Sequence, residues 1–451
     1  MSRALNPSQL YQVNNMDLNR KTAYKALFEI QIKGAYSNIA VNRQVRADAP
    51  SDPAFVRSLV YGTLENQLLI DHRLSQLVKG PLKKVNSKAL VLLRMGVCQL
   101  DFMDSVPEYA AINETVSLAK KFCRGLDGFV NGVLRSYLRR DGSFSMPDRE
   151  KNPSEYLSIK YSCSSDIVKM WLDIYGQERT ESLLKAGNTP PPLTIRVNSL
   201  KAGTEEVRTL LEAGGFKCSP ALPEGCSDGN SEAAGRALNV SGSGLMDRDW
   251  YRQGLFSVQD LSSMLAVSAL DPRPGQTLID ICAAPGGKSF FAGELMKNQG
   301  RIISCDIHPH KVELIKQGAA RLGLTCLEAM ENDGLTYREE FAELADRVIV
   351  DAPCSGLGVV RRKPEIKLHL TLDDIKELAG IQLEILEKSS AYVKKNGLLM
   401  YSTCTISQVE NEAVTEMFLQ KNKNFSKVCS RQLFPDIDNS DGFYFTVFQR
   451  I

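Results

Sequence analysis

The chain has 451 residues, more than one hydrophobic core usually supports, so two or three domains are expected. With 43% hydrophobic and 24% charged residues it excludes a disordered or fibrous protein and should fold compactly throughout. The net charge of +2 is uneven: residues 1–150 hold 21 Lys and Arg against 14 Asp and Glu, and the rest 34 against 39, a basic first part that fits a polyanion such as RNA or a solvated surface. No apolar run approaches the roughly 18 residues of a membrane span, and no export signal is visible. The 11 cysteines lack any Cys-x-x-Cys spacing, which implies free thiols in a reducing cytoplasm, with neither disulfides nor a metal site.

The first 145 residues read as successive helices. Ala23, Leu27 and Ile30 recur at helical spacing, Leu59, Leu64, Leu68 and Leu69 continue it, and Ala89–Gly96 is strongly apolar. Pro107 opens the next helix, and the segment starting at Phe129 begins the last. The words Leu93-Arg-Met-Gly96, Val106-Pro-Glu-Tyr-Ala-Ala-Ile-Asn-Glu-Thr115 and Phe129-Val-Asn-Gly-Val-Leu134 resemble the NusB family of RNA-binding antitermination factors over residues 17–140. The resemblance implies an all-helical domain over residues 1–145 that contacts RNA; a protein-docking module is the alternative.

A linker at Asp141–Pro153 leads to a small α+β unit, expected over residues 154–255. It comprises a helical stretch at 154–188, a strand at Leu193–Val197, a helix at Thr204–Ala213 and a strand after Gly214. The polar, glycine-rich Leu222–Gly244 stretch reads as a surface loop.

From Phe256 to the end the period alternates regularly. Helix Ser262–Leu270, strand Thr277–Ile281, a glycine turn with a helix to Lys297, strand Arg301–Asp306 and helix Lys311–Leu322 follow one another. Further strands are expected at Thr325–Ala329, Arg347–Val350 and Gly397–Tyr401, a helix through Asp373–Lys395, and a closing antiparallel strand at Phe443–Phe448. This is the pattern of a doubly wound, Rossmann-like α/β domain over residues 256–451.

In such a sheet the ligand lies beyond the carboxyl ends of the strands. Gly286 and Gly287 in Asp280-Ile-Cys-Ala-Ala-Pro-Gly-Gly-Lys288 let a ligand approach the backbone, and Pro285 and Lys288 mark a helix start that offers N–H groups. Asp306 ends the next strand, about 20 residues beyond the glycine turn, where an acid accepts from a ribose diol or caps a helix. Asn332-Asp333-Gly334 follows the third strand, placed for an adenine edge or a plain turn. The loop lacks the Gly-x-Gly-x-x-Gly spacing that admits a pyrophosphate, so S-adenosylmethionine fits better than a dinucleotide. Cys354 in Asp351-Ala-Pro-Cys-Ser-Gly356 and Cys404 in Ser402-Thr-Cys-Thr405 both look like strand-end thiols; a buried apolar residue is the ordinary reading of such a cysteine.

Those three words together resemble the RNA cytosine-5 methyltransferases, and with the NusB-like segment nearly the whole chain resembles the bacterial 16S ribosomal RNA branch often called Sun or Fmu. The resemblance implies S-adenosylmethionine bound by Cys282, Ala283, Ala284, Pro285, Gly286, Gly287, Lys288, Asp306, Asp333 and Asp351. It makes Cys404 the nucleophile and Cys354 the residue that assists product release, with Asp351 also facing the base. Arg361-Arg-Lys-Pro-Glu-Ile-Lys367 matches the family's substrate loop, so Arg361, Arg362, Lys363 and Lys367 are expected to hold RNA phosphates, although Glu365 stands where an aspartate is common. The implied partner is small-subunit ribosomal RNA before or early in assembly, met by a monomer. A transfer-RNA methyltransferase, a noncatalytic RNA-binding factor and a cysteine hydrolase are the alternatives; no histidine falls in a motif that would serve the last.

Overall fold

Caps and apolar spacing define the helices of the N-terminal part. The computed structural model describes residues 17–221 and 233–451. Asp17 accepts from the N–H groups of Asn19 and Arg20 to start α1 (Leu18–Lys33), and Gly34 at φ 70° ends it. There follow α2 (Ser37–Asp48), α3 (Pro53–Glu65, capped by Asp52), α4 (Gln67–Ser75), α5 (Ser87–Phe102), α6 (Glu108–Phe122) and α7 (Asp127–Arg139). Their apolar faces close on one core in which Leu27, Leu59, Leu64, Leu92 and Leu134 are completely buried.

The next two helices, α8 (Pro153–Tyr161) and α9 (Ser165–Ala186, interrupted at Gly176), join this body instead of the α+β unit. Between them the Ser162 hydroxyl accepts from the Leu68 and Leu69 N–H groups at the start of α4, at 3.1 and 3.2 Å. Packing groups residues 17–188 with Arg362–Leu370 as one unit, and Thr189–Arg361 with Thr371–Ile451 as the other. The linker composition near Asp141 marks a change of sequence character, but long-range contacts decide which side 154–188 belongs to.

The second unit begins with β1 (Thr194–Val197), α10 (Thr204–Ala213), β2 (Lys217–Pro220), β3 (Ala237–Ser241) and β4 (Phe256–Val258), an antiparallel sheet in the order β2-β3-β1-β4. The stretch expected to be a loop therefore contains a strand, with Ala237, Leu238 and Val240 buried; residues 222–232 lie outside the described residues. Five consecutive residues are too short a pattern for the period to register.

Next come α11 (Leu261–Leu270), β5 (Thr277–Asp280), α12 (Gly287–Leu295), β6 (Arg301–Asp306), α13 (Pro309–Leu322), β7 (Leu327–Glu331) and β8 (Ala345–Asp351). The chain continues through α14 (Leu372–Ser390), β9 (Val393–Thr403), α15 (Glu412–Lys421), β10 (Phe425–Leu433) and β11 (Phe443–Arg450). The strands form one sheet in the order β10-β11-β9-β8-β5-β6-β7, parallel except that β11 runs antiparallel between β9 and β10. Neighbouring residues point to opposite faces. Ile279, Ile303, Val348 and Leu399 pack with Leu386 of α14 and Phe418 of α15, whereas Leu278, Ile302, Ile349 and Met400 pack with Met264 of α11 and Phe291 of α12. Burial on both faces is what the doubly wound reading requires. The helix expected to run to Lys395 ends at Ser390, because β9 takes over at Val393.

A fully buried ion pair ties the small sheet to the large one. Arg196 of β1 donates to Glu294 of α12 through Nε at 3.0 Å and Nη2 at 2.8 Å, and through Nη1 to the Gly287 carbonyl at 3.1 Å. Burial pushes the Glu294 carboxyl up, and Arg196 opposes the shift. Removing one partner would leave a buried charge uncompensated, which typically costs about 3–5 kcal/mol. Arg196→Met is therefore expected to lower stability by about that amount in urea unfolding, and Arg196→Met combined with Glu294→Leu to recover much of it.

Candidate active site

The strand order reverses at β5, which has β6 on one side and β8 on the other, so the turns after β5, β6, β8 and β9 open on one edge of the sheet. Asp280 ends β5 fully buried, accepting from the Ser289 hydroxyl at 2.6 Å, which in turn accepts from Ser304 at 2.8 Å. Burial, with the charges of Asp351 and Asp306 nearby, pushes the Asp280 carboxyl up to about 7. The chain then turns through Cys282, Ala283, Ala284 and Pro285, with a cis Ala284–Pro285 bond and Gly286 at φ 107°. A Cβ on Gly286 would lie 2.3 Å from the Phe290 ring, so the turn needs glycine there on two counts. The Ala283 N–H is tied to the Cys305 carbonyl at 2.7 Å, and burial raises the Cys282 thiol out of any reactive range.

Asp306 stands buried at the end of β6, accepting from the His308 N–H at 3.0 Å with Lys311 Nζ 3.7 Å away. Asn332 is buried beside it, its N–H donating to the Asp306 carbonyl at 3.1 Å, whereas Asp333 is half-buried and folds back on the Leu335 N–H at 2.9 Å. At the end of β8, Asp351 accepts from Lys288 Nζ at 2.6 Å and from the Ser402 hydroxyl at 2.8 Å. Lys288 thus serves as the partner of Asp351, and its ammonium also lies 5.0 Å over the Phe443 ring.

β8 and β9 are parallel with Asp351 opposite Ser402, so the turns that follow run side by side. Cys354 and Cys404 come together there with their sulfurs 3.3 Å apart, both partly exposed. The hydrogen bond to Cys404 comes first, then burial, then the charges of Cys404 and Glu410, in holding the Cys354 thiol well above its ordinary range.

Sequence reasoning missed Glu410, a fully buried acid that contacts the residue following each cysteine, Ser355 and Thr405. Its segment, Ser407-Gln-Val-Glu-Asn-Glu412, carries no local pattern that sets it apart from an ordinary polar turn. The phosphate contacts expected of Arg361 and Lys367 need correction. Arg361 is 7% exposed and paired with Asp441 at 2.9 Å; Lys367 is 3% exposed and donates to the Glu65 and Tyr161 carbonyls at 3.2 and 2.8 Å and to Asn188. Burial lowers the Lys367 ammonium to about 8. Lys363 lies 5.4 Å over the Tyr36 ring, and Glu365 accepts from the Ser37 N–H at 2.8 Å. Segment 362–370 is part of the helical unit and Lys367 is a structural strut, a long-range outcome that charge on a loop could not reveal.

The family model described as 16S rRNA methyltransferase RsmB/F matches residues 267–449, that of the NusB family residues 17–139, and a ferredoxin-like domain of the RsmF/B-like methyltransferases residues 166–226. The protein named "Probable ribosomal RNA small subunit methyltransferase B" of Bacillus subtilis is 39% identical over 90% of this chain and 89% of its own length. Its namesake from Synechocystis is 34% identical, covering 90% of each. The chain belongs to the RsmB/F methyltransferase family. Among solved structures, PH0851 superposes with a TM-score of 0.82 at 25% identity over 97% of this chain and all of its own. A methyltransferase homolog from Pyrococcus horikoshii gives 0.57 at 26% identity over 65% of this chain and 98% of its own.

RsmB/F methyltransferases use S-adenosylmethionine, and the crevice here suits it. Two buried polar atoms lack partners, Asp280 Oδ1 and Asn332 Nδ2, one an acceptor and one a donor. A Cβ on Gly287 would make ordinary contact with Gln259, at 3.5 Å. Asp306 and Asp351 bring carboxylates to the crevice, which favours a cation. Among the described residues no helix is long and apolar enough to cross a membrane, and no cluster of metal ligands occurs.

A buried carboxyl at about 7 binds a proton in the folded state that the unfolded chain, at roughly 3.9, has already lost. Stability contributed by this group therefore falls as pH rises from about 4 to about 7. Asp280→Asn is expected to remove that decline, gaining on the order of 2 kcal/mol over the wild type at pH 7.5 relative to pH 5 in denaturant midpoints.

Proposed function

We propose that this protein transfers the methyl group of S-adenosylmethionine to C5 of a cytosine in small-subunit ribosomal RNA, through a transient bond between Cys404 and C6 of the base. The observation that carries the reading is the pair of thiols 3.3 Å apart at the ends of adjacent parallel strands, next to the glycine turn. C5 of cytosine is too weak a nucleophile unaided. Attack of the Cys404 thiolate on C6 forms an S–C6 bond and shifts the ring electrons toward C5, which then takes the methyl group. Removal of the C5 proton and expulsion of Cys404 restore the aromatic ring. Cys354 gives up its own proton once Cys404 is bonded to the base and, as thiolate, takes the C5 proton while the S–C6 bond breaks and its electrons leave with Cys404; Asp351, when protonated, bonds N3 and accepts from the amino group of the base.

The methyl donor supplies an electrophilic carbon on a cationic sulfur. In this reading Cys282, Ala283, Ala284, Pro285, Gly286 and Gly287 line it with backbone, Asp306 accepts from its ribose, Asp333 lies toward its adenine, and Lys288 holds Asp351 in place. The base must leave its stack to reach both reactants. The NusB-like unit positions the RNA, which is met before or early in assembly by a monomer in the cytoplasm. What favours RNA is the NusB likeness over residues 17–139 and the basic excess of residues 1–150. The relatives named as ribosomal RNA small subunit methyltransferases favour this substrate class over transfer RNA.

Cys404→Ala is expected to lower methyl transfer from labelled S-adenosylmethionine to a 16S transcript on the order of 10⁴-fold and to form no protein–RNA adduct. Cys354→Ala should accumulate an adduct visible on denaturing gels, and the opposite pattern would reverse the two roles. Asp306→Ala should weaken S-adenosylmethionine binding roughly tenfold or more in calorimetry, the scale of losing hydrogen bonds to a charged group.

A further inference from the structure

Beneath the two thiols lies a carboxylate that no step above uses. Glu410 Oε1 accepts from the Ser355 N–H at 2.8 Å and from Gln382 Nε2 at 3.0 Å; Oε2 accepts from the Ser355 hydroxyl at 2.6 Å and lies 3.4 Å from that of Thr405. Ser355 directly follows Cys354, Thr405 directly follows Cys404, and their hydroxyls are 2.7 Å apart. Gln382 widens the brace by donating to the Pro353 carbonyl at 3.0 Å and accepting from the Tyr401 hydroxyl at 3.0 Å, which also reaches the Glu410 carbonyl at 2.6 Å. One side chain therefore grips both cysteine turns from below.

A buried acid that only knits the fold together is the simpler account, and energetics weigh against it. A fully buried carboxylate is costly unless paired, and among the described residues no Lys, Arg or His forms an ion pair with Glu410. A glutamine of the same shape would serve the packing at lower cost. The negative charge must act on the ionisable groups around it: Cys354 and Cys404 on the two turns, Tyr401 on β9, and beyond them Asp351, which Lys288 already partners. An anion there opposes a second thiolate next to the first.

We propose that Glu410 is the positioning residue of the thiol pair, locking the two cysteine turns together and setting a carboxylate beside both, so that one thiol at a time ionises. This rests on the covalent reading above. The raised thiol of Cys354, to which Glu410 contributes after Cys404 and burial, is consistent with it.

The test uses the full chain, a 16S transcript and tritiated S-adenosylmethionine, with kcat/KM followed across pH. Glu410→Gln should leave S-adenosylmethionine affinity within about twofold and cut turnover roughly tenfold. The rising limb of its profile should move about one pH unit lower, because loss of a nearby anion eases thiol ionisation. Ser355→Ala keeps the charge but breaks the hydroxyl link; it should slow adduct formation several-fold with its profile unmoved, which keeps the idea testable if Glu410→Gln folds poorly. A Glu410→Gln profile that stays in place, with activity lost only in proportion to unfolded protein, overturns the proposal, as does wild-type adduct formation by Ser355→Ala. Cys404→Ser separates the two levels: full turnover by that variant sinks the covalent reading itself, whereas a dead Cys404→Ser beside an unmoved Glu410→Gln profile sinks only the role of Glu410.

Discussion

The site depends on the parallel pairing of β8 with β9 in a register that sets Asp351 opposite Ser402. The pairing continues past the strands: the Ala352 N–H donates to the Ser402 carbonyl at 2.9 Å and the Gly358 N–H to the Cys404 carbonyl at 3.0 Å. Cys354 and Cys404, 50 residues apart in the chain, become neighbours only because both strands leave the sheet at the same level. A slip of one residue would turn every β9 side chain to the other face, separating the thiols and taking Ser402 from Asp351. Burial on both faces of the sheet makes that slip prohibitive, so the core that stabilises the domain is also what aligns its chemistry.

Around that register the charges are arranged by environment. Asp280 has only hydroxyl partners and is driven toward neutrality, Asp351 has the Lys288 ammonium, and Asp306 takes a backbone N–H with Lys311 beyond. Three acids in one crevice thus have three different surroundings, as expected where a cationic ligand must be attracted without stacking uncompensated charge. The thiols lie in the turns that follow Asp351 and Ser402, where the hydrogen bond to Cys404 and burial hold the Cys354 thiol well above its ordinary range.

Much of this was legible in the residues themselves. The period of β5, β6 and β8, the glycine turn at Gly286 and the acid at Asp306 each follow from local pattern, because parallel strands buried on both faces leave long apolar runs and tight turns need particular residues. Other features depend on partners far along the chain and left no local trace. Arg196 and Glu294 are 98 residues apart, and either alone looks like a surface charge. β10 pairs with β11 as an edge strand carrying Lys427 and Arg431, so its polarity hid it. Nothing local marks Glu410, whose partner Ser355 is 55 residues away in the chain. The basic run at Arg361–Lys367 misled because the sign of a charge says nothing about whether water or protein surrounds it.

That run also bears on how the protein is made. Residues 362–370 complete the helical body with Lys367 against Glu65, Tyr161 and Asn188, yet the ribosome synthesises them long after residue 188. At elongation rates of about 5–20 residues per second the early helices wait on the order of 10 s or more for their last piece. The nascent N-terminal half is thus left with an open seam while the catalytic sheet is still being translated, and the two halves of the gene product mature together instead of in sequence.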